Sequence, residues 1–181
     1  MGRTHDTLDD TLKEWIAAQH LFFVASAPSG PDGHVNMSPK GYDTFRILDD
    51  LTVAYLDLTG SGVETIAHLQ DNGRLTIMFC AFEGPPRILR LFGEGDVVLP
   101  DDDGFDELFG AFEPVPGLRS IIRLCIDRIQ SSCGYSVPFM SYESERETLK
   151  DWAARKGPEG LDEYHAEKNT QSIDGLAGLP I

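Results

Sequence analysis

Residues 74–95, RLTIMFCAFEGPPRILRLFGEG, contain the pattern that decides the fold. Within them, residues 76–82 form an almost unbroken apolar run, which is typical of a strand covered on both faces. The turn-forming sequence EGPP follows, and the apolar pattern then returns, interrupted by Arg87 and Arg90. The stretch therefore predicts a long β-hairpin at the centre of a sheet, with cations beside the core.

The remaining sequence predicts a sheet with helices packed around it. Alternating or continuous apolar residues predict further strands at 21–27, 35–39, 52–58 and 120–130. Helical spacing of apolar residues predicts helices at 8–19, 63–72, 105–112 and from 144 to 167, the last interrupted at Gly157-Pro158. Asp6 or Thr7 is expected to cap the first helix. The fold class is therefore mostly β with flanking helices.

Charge and composition narrow the possible partners. The 181 residues contain 41% hydrophobic residues, enough for one globular unit, and 15 Lys and Arg against 30 Asp and Glu give a net charge of −15. From Glu94 to Glu113 the chain has no Lys or Arg. Nucleic acid and anionic membrane surfaces both require a basic face, so neither is expected as a partner.

The cysteines and histidines do not predict a metal site. The three cysteines lack metal-ligand spacing and are odd in number, so neither zinc binding nor a disulfide framework is expected. His34 and His68 have no companion ligand at metal spacing, and we expect both at the surface. Charged residues interrupt the first twenty positions, which argues against a signal peptide. These features favour a soluble, cytoplasmic protein.

The loop TGSGVET, residues 59–65, is the most informative candidate for ligand binding. A Gly-Ser-Gly turn between a strand and a helix presents backbone N–H groups at the positive end of the helix dipole, which favours a phosphate. The hydroxyl groups of Thr59, Ser61 and Thr65 add donors. Ser61 and Glu64 also fit a capping box, which would use the same groups internally. The loop alone leaves the two interpretations open.

Lys40 is a candidate cation for the same ligand. It follows Pro39 at the end of a predicted strand, where its side chain can project from the sheet edge. A solvated lysine is the ordinary interpretation, but an anionic ligand in such an acidic chain needs local cations. The candidate cations embedded in sheet-like segments are Lys40, Arg87 and Arg90.

In this order of motifs the chain resembles the pyridoxamine phosphate oxidase-like flavoproteins, the FMN-binding split-barrel family. The similarity covers residues 12–138: a helix, a hairpin with a PDG turn, NMSPKG, the TGSGVET loop and helix, then NGRLTIMF and RILRLFGEG. The resemblance implies a homodimer of six-stranded split β-barrels with FMN at the subunit interface. It also implies that Lys40 matches the phosphate-binding lysine of the family.

The resemblance implies a set of cofactor-binding residues on three segments. The segment from Val35 to Lys40 would line the flavin and its phosphate. The Gly60–Gly62 loop would cradle the phosphate, and Arg87 would reach the flavin ring or the phosphate. The expected residues are Val35, Asn36, Met37, Ser38, Lys40, Thr59, Gly60, Ser61, Gly62, Thr65 and Arg87. No catalytic acid or base is assigned.

Departures from the family pattern argue against pyridoxamine phosphate oxidation. Glu64 and Thr65 stand where the vitamin-converting oxidases carry an Arg-Lys pair, and Ile88 stands where they carry Gln. The C-terminal Trp and Arg-Leu-x-Pro signature for the pyridoxal substrate is replaced by SCGYSVP and a segment around Trp152. The resemblance therefore implies a related activity on a different substrate.

The favoured hypothesis is an FMN-dependent oxidoreductase with an unassigned small-molecule substrate. Residues 1–143 would form the flavin-binding domain, and residues 144–181 a helical arm that packs on the barrel or on a dimer partner. A non-catalytic protein that stores or senses flavin or haem is the first alternative. Two further alternatives are a deazaflavin cofactor in place of FMN, and a split barrel with an empty pocket that acts only through dimer contacts.

Overall fold

The computed structural model describes residues 2–180 as eight strands and four helices. In chain order they are β1 (Arg3–His5), α1 (Asp10–Ala17), β2 (Phe22–Ser26), β3 (Asn36–Lys40), β4 (Phe45–Ile47), β5 (Thr52–Leu58), α2 (Glu64–Asn72), β6 (Arg74–Cys80), β7 (Ile88–Val98), α3 (Phe105–Phe109), β8 (Leu118–Ser132) and α4 (Thr148–Lys168).

All strands belong to one curled antiparallel sheet in the order β3-β2-β6-β7-β8-β5-β4, with β1 paired to the other end of β8. The predicted hairpin forms β6 and β7 near the middle of this order, in a register that runs from Arg74 opposite Glu94 to Cys80 opposite Ile88. Six strands have five residues or more, and β1 and β4 have three each. The predicted six-stranded split barrel is confirmed, with two short strands added at its edges.

Local signals in the sequence explain several helix boundaries. Asp9 caps α1 by accepting the Leu12 N–H at 2.8 Å, so the expected cap at Asp6 or Thr7 was wrong by two or three residues. Gly73 ends α2 in the left-handed conformation, with φ of 70°. Gly157 interrupts α4 with φ of 68°, which confirms the break predicted at Gly157-Pro158.

Strand β5 is buried on both faces and contributes to two apolar clusters. Val53 and Tyr55 belong to the larger cluster, which also contains the aromatic rings of the barrel interior. Ala54 and Leu56 belong to the smaller cluster, beneath α3. Asp57 lies on the same face of β5 as Val53 and Tyr55 and is fully buried. The strand therefore places a carboxylate in the protein interior.

The chain after β8 returns across the barrel before it reaches α4. The Met140 N–H donates to the Phe82 carbonyl at the β6–β7 turn at 3.0 Å, and the Tyr142 ring stacks on His20 at a centroid distance of 3.7 Å. The buried Ala153 of α4 then lies beside Gly117. The division into a barrel domain and an arm remains a prediction, although the segment makes these contacts within its own chain.

The described residues contain neither a membrane-spanning helix nor a metal-binding cluster of side chains. No helix there is long and apolar enough to cross a membrane. In the same residues, no group of three or more His, Cys, Asp or Glu side chains is placed to hold a metal ion.

A bulge in the β7–β8 pair brings two backbone segments close together at Gly93, and this close approach can be tested by substitution. The register shifts between Phe92 and Gly93, and a Cβ atom on Gly93 would collide with the Cys125 backbone. Gly93→Ala is therefore expected to lower the free energy of unfolding by about 1–3 kcal/mol, measured by urea denaturation. Gly30→Ala is the control, because its Cβ would meet nothing within 4 Å. Equal effects of the two substitutions would contradict the close approach at Gly93.

Candidate functional site

A buried ion cluster centred on Asp57 lies at the end of β5. Lys40 Nζ lies 3.1 Å from Asp57 Oδ1, and Arg119 donates to Asp57 Oδ2 from Nε at 2.9 Å and Nη2 at 2.8 Å. Burial alone would raise the pKa of the Asp57 carboxyl, but Lys40 and Arg119 outweigh burial and hold that pKa below its usual range. The carboxyl is therefore ionised at neutral pH, and the three side chains together carry a charge of +1.

Arg119 also connects this cluster to the loop before α2. Its Nη1 atom donates to the Gly62 carbonyl at 2.9 Å and to Asn169 Oδ1 at 3.0 Å. Asn169, which is fully buried, donates in turn from Nδ2 to the Gly60 carbonyl at 3.0 Å. The carbonyl side of the Gly60–Gly62 loop is thus held by two side chains from distant parts of the chain.

The N–H side of the same loop is available to a ligand. Among residues 2–180, no acceptor receives a hydrogen bond from the backbone N–H groups of Gly60, Ser61 or Gly62. Ser61 and Gly62 are exposed, and the space where Gly60 would carry a Cβ holds no atom within 4 Å. Backbone N–H groups in such a turn bind phosphate or carboxylate oxygens, so the loop has the chemistry of an anion site.

The capping-box interpretation of this loop was wrong. Val63 is the N-cap residue of α2, and no side chain caps that end of the helix. The Glu64 carboxylate lies against Gly62 and accepts the N–H of Ile173 at 3.3 Å. The loop N–H groups are therefore not used internally, although Glu64 places a negative charge beside them that opposes an anion.

Three predicted cofactor residues share one face of β3. Asn36 donates from Nδ2 to Thr65 Oγ1 at 3.0 Å and to Ser26 Oγ at 3.2 Å, and Ser38 donates to Asn36 Oδ1 at 3.2 Å. Lys40 continues the row at Asp57. The structure thus brings the β3 residues to α2 and to the ion cluster.

Val35 and Met37 lie apart from that row at the surface. They are 73% and 64% exposed, respectively. An expected contact of either side chain with flavin therefore stays a prediction.

Thr59 and Arg87 make contacts elsewhere. The Thr59 hydroxyl donates to the Gly117 carbonyl at 2.9 Å and lies 2.8 Å from His165 Nε2. The Arg87 guanidinium lies 5.4 Å from the centre of the Trp15 ring. The structure does not bring these two side chains to the row on β3, and their assignment to the cofactor stays a prediction.

A buried histidine lies beside the β3 row. His68 is fully buried, and its Nδ1 atom lies 3.0 Å from Ser26 Oγ, whereas Nε2 has no partner among the described residues. The expectation that His68 lies at the surface was wrong, while His34 is exposed as expected. Burial lowers the pKa of the His68 ring, which is therefore neutral at physiological pH.

Sequence reasoning missed Asp57, Arg119 and Asn169. A signal for the first was present, because an acid inside the apolar strand TVAYLDL requires a buried cation. Nothing in the local sequence distinguished Arg119 from the other arginines, or placed Asn169 at the loop. These contacts depend on how the chain end returns to α2.

Comparisons with known proteins agree with the fold and the order of the motifs. A family model described as pyridoxamine 5'-phosphate oxidase matches residues 8–133. The pyridoxamine 5'-phosphate oxidase family protein ustO of Aspergillus flavus is 39% identical over 195 residues, which cover 97% of this chain and 77% of ustO.

Two solved structures share the fold. HupZ of Group A Streptococcus matches with a TM-score of 0.52 and 22% identity, over 67% of this chain and 90% of HupZ. A candidate pyridoxamine 5'-phosphate oxidase from Lactobacillus delbrueckii matches with a TM-score of 0.54 and 17% identity, over 70% of this chain and 98% of that one. The family model and the ustO relationship establish that the chain belongs to the pyridoxamine 5'-phosphate oxidase family.

Proposed function

We propose that the protein is an FMN-binding oxidoreductase that acts on a small molecule and works as a homodimer. The observation that carries the proposal is the Gly60–Gly62 loop. Arg119 and Asn169 hold its carbonyls, and its N–H groups have no acceptor among residues 2–180. Bound FMN would supply hydride chemistry, and the protein would supply position and electrostatics.

The residues present fit a phosphate group through two kinds of contact. The N–H groups of the loop would donate hydrogen bonds, and the Lys40 ammonium would supply a charged contact. The buried Arg119 guanidinium adds positive charge without touching the ligand, because Asp57, Gly62 and Asn169 already accept its hydrogen bonds. Asp57 neutralises one of these two charges and fixes the position of both cations. Glu64 opposes the anion, which makes the site weaker than one with cations on the first turn of α2.

The same residues support a related activity rather than oxidation of pyridoxamine phosphate. Glu64 and Thr65 begin α2 where the vitamin-converting oxidases have two cations, and the arm after β8 lacks their substrate signature. Asn36 and Ser38 place neutral hydrogen-bonding groups beside Thr65, in the first turn of α2. The substrate therefore stays unassigned, while the cofactor proposal rests on the loop.

Paired titrations with FMN and riboflavin test the phosphate site, because the two ligands differ by that group. Lys40→Ala is expected to raise the dissociation constant for FMN about tenfold, equivalent to about 1.4 kcal/mol, and to leave riboflavin binding unchanged. Ser61→Ala should cause a smaller loss, and Glu64→Gln should tighten FMN binding by removing a repulsive charge. Binding is measured by quenching of flavin fluorescence.

Arg155→Ala is the matched control, since it removes an exposed cation from α4. It is expected to change neither affinity. Unchanged FMN affinity in both Lys40→Ala and Ser61→Ala would show that the phosphate does not bind at this loop. Thermal unfolding of each variant separates loss of the site from loss of the fold.

The visible spectrum and turnover distinguish an enzyme from a storage protein. Flavin bands that are bleached by NAD(P)H and restored by oxygen would support an oxidoreductase. A protein that binds FMN but barely reduces or reoxidises it would be a flavin binder, and a Soret band would indicate haem. A colourless protein that ignores added FMN would overturn the proposal. Light scattering of the purified protein tests the homodimer.

A further inference from the structure

A cavity of about 580 Å³ lies between α1, the start of β2 and the segment around β4, apart from the proposed phosphate site. None of the eleven residues predicted to bind the cofactor lines it. Its volume falls in the range of about 300–1,000 Å³ that is typical of small-molecule sites. The cavity is therefore large enough for a ligand of its own.

Three phenylalanine rings form the apolar part of the cavity. Phe22 and Phe79 are buried, and Phe45 lies between them with ring centroids 5.2 Å and 5.1 Å away, respectively. Ile16 of α1 adds an aliphatic surface. Phe45 is only partly buried, so its ring is the one that can make tilted or stacked contact with another ring, which favours a flat aromatic ligand.

The charged groups at the mouth leave a negative excess. Lys13 Nζ lies 2.6 Å from Asp50 Oδ1, and Arg46 pairs with both carboxylate oxygens of Asp43 at 2.6 Å and 2.9 Å. Both cations that line the cavity are thus already neutralised. The carboxylates of Glu14 and Asp49, which also line the cavity, form no ion pair within residues 2–180.

We propose that this cavity binds an aromatic molecule that carries a positively charged amine. The Phe45 ring would contact the aromatic part, and Glu14 would pair with the ammonium group at the mouth. Asp49, whose Oδ1 already accepts the Leu51 N–H at 2.8 Å, would add negative potential there. An aromatic carboxylate of the same shape would meet repulsion at the same place. This site does not depend on flavin binding and is expected to be occupied with or without FMN.

Three probes separate the ring from the charge. Tryptamine carries both features, indole-3-propionate replaces the ammonium with a carboxylate, and ethylammonium lacks the ring. We expect tryptamine to bind with a dissociation constant on the order of 1 mM and the other two to bind at least tenfold more weakly. Ligand-observed saturation-transfer NMR measures all three on the purified protein.

Two cavity variants, with one control variant outside the cavity, test whether tryptamine binds at this place. Glu14→Gln removes an exposed carboxylate from the mouth and should weaken tryptamine binding severalfold, whereas Glu159→Gln, which removes an exposed carboxylate from α4, should have no effect. Ala17→Trp, at an exposed position of α1 that lines the cavity, should block binding. The proposal is overturned if indole-3-propionate or ethylammonium binds as well as tryptamine, or if Ala17→Trp leaves tryptamine binding intact.

Discussion

Asp57→Ala is expected to lower the free energy of unfolding by about 3–5 kcal/mol, the largest effect of any substitution considered. Asp57 is fully buried, and it is the shared partner of Lys40 and Arg119. Its removal leaves the Arg119 guanidinium, whose side chain is only 5% exposed, without a counter-charge. Urea denaturation of the purified variant measures the loss.

Asp96→Ala is the matched control, because it breaks an arginine–aspartate pair at the surface. Both side chains of the Arg123–Asp96 pair are 45% exposed, so its loss should cost no more than about 1 kcal/mol. Asp57→Asn separates charge from shape, since the amide has nearly the same size but cannot neutralise a cation. A loss at Asp57 no larger than that at Asp96 would contradict the buried cluster.

The same carboxylate predicts a dependence of stability on pH. Its folded pKa lies below the ordinary value of 3.8, because Lys40 and Arg119 outweigh the opposite effect of burial. A depressed folded pKa contributes stability that is present above the unfolded pKa and is lost as the pH falls through the folded value. Acid titration should therefore destabilise the wild type more than Asp57→Asn in this window, which lies below about pH 4.

The sheet was predictable from sequence because its signals are local. The run from Thr76 to Phe82, the EGPP turn and the Asn72-Gly73 stop each specify structure within a few residues. The short strands β1 and β4 were not predictable in this way. Their three-residue segments have no periodicity of their own and are ordered by pairing with β8 and β5.

The candidate site was predictable only in part, because most of its contacts join distant segments. Local residue chemistry pointed to Lys40 and to the Gly60–Gly62 loop, and the family resemblance added support for both. Arg119 and Asn169 carry no such local signal, and their hydrogen bond joins residues 50 positions apart. The capping box at Ser61 and Glu64 failed for the same reason, since Glu64 instead meets the N–H of Ile173, 109 positions away.

Asn169→Ala should weaken FMN binding about tenfold and leave riboflavin binding unchanged, if the proposed phosphate site is correct. The substitution removes the donor to the Gly60 carbonyl and an acceptor of Arg119, so the loop loses the contacts that fix its N–H groups. The buried Arg119 guanidinium also loses an acceptor, which costs about 1–3 kcal/mol, so stability should also fall. Fluorescence titration with the two flavins and urea denaturation measure these effects.

Asn72→Ala distinguishes a positioning role from a general loss of stability. Asn72 also donates from its side-chain amide to a backbone carbonyl, that of Ala27 at 2.8 Å, but it lies at the opposite end of α2 from the loop. The Asn72→Ala substitution should therefore lower stability without changing the ratio of FMN affinity to riboflavin affinity. If both variants change that ratio equally, Asn169 acts only on the fold. A change confined to Asn169→Ala would mean that the returning chain end positions the loop for the phosphate.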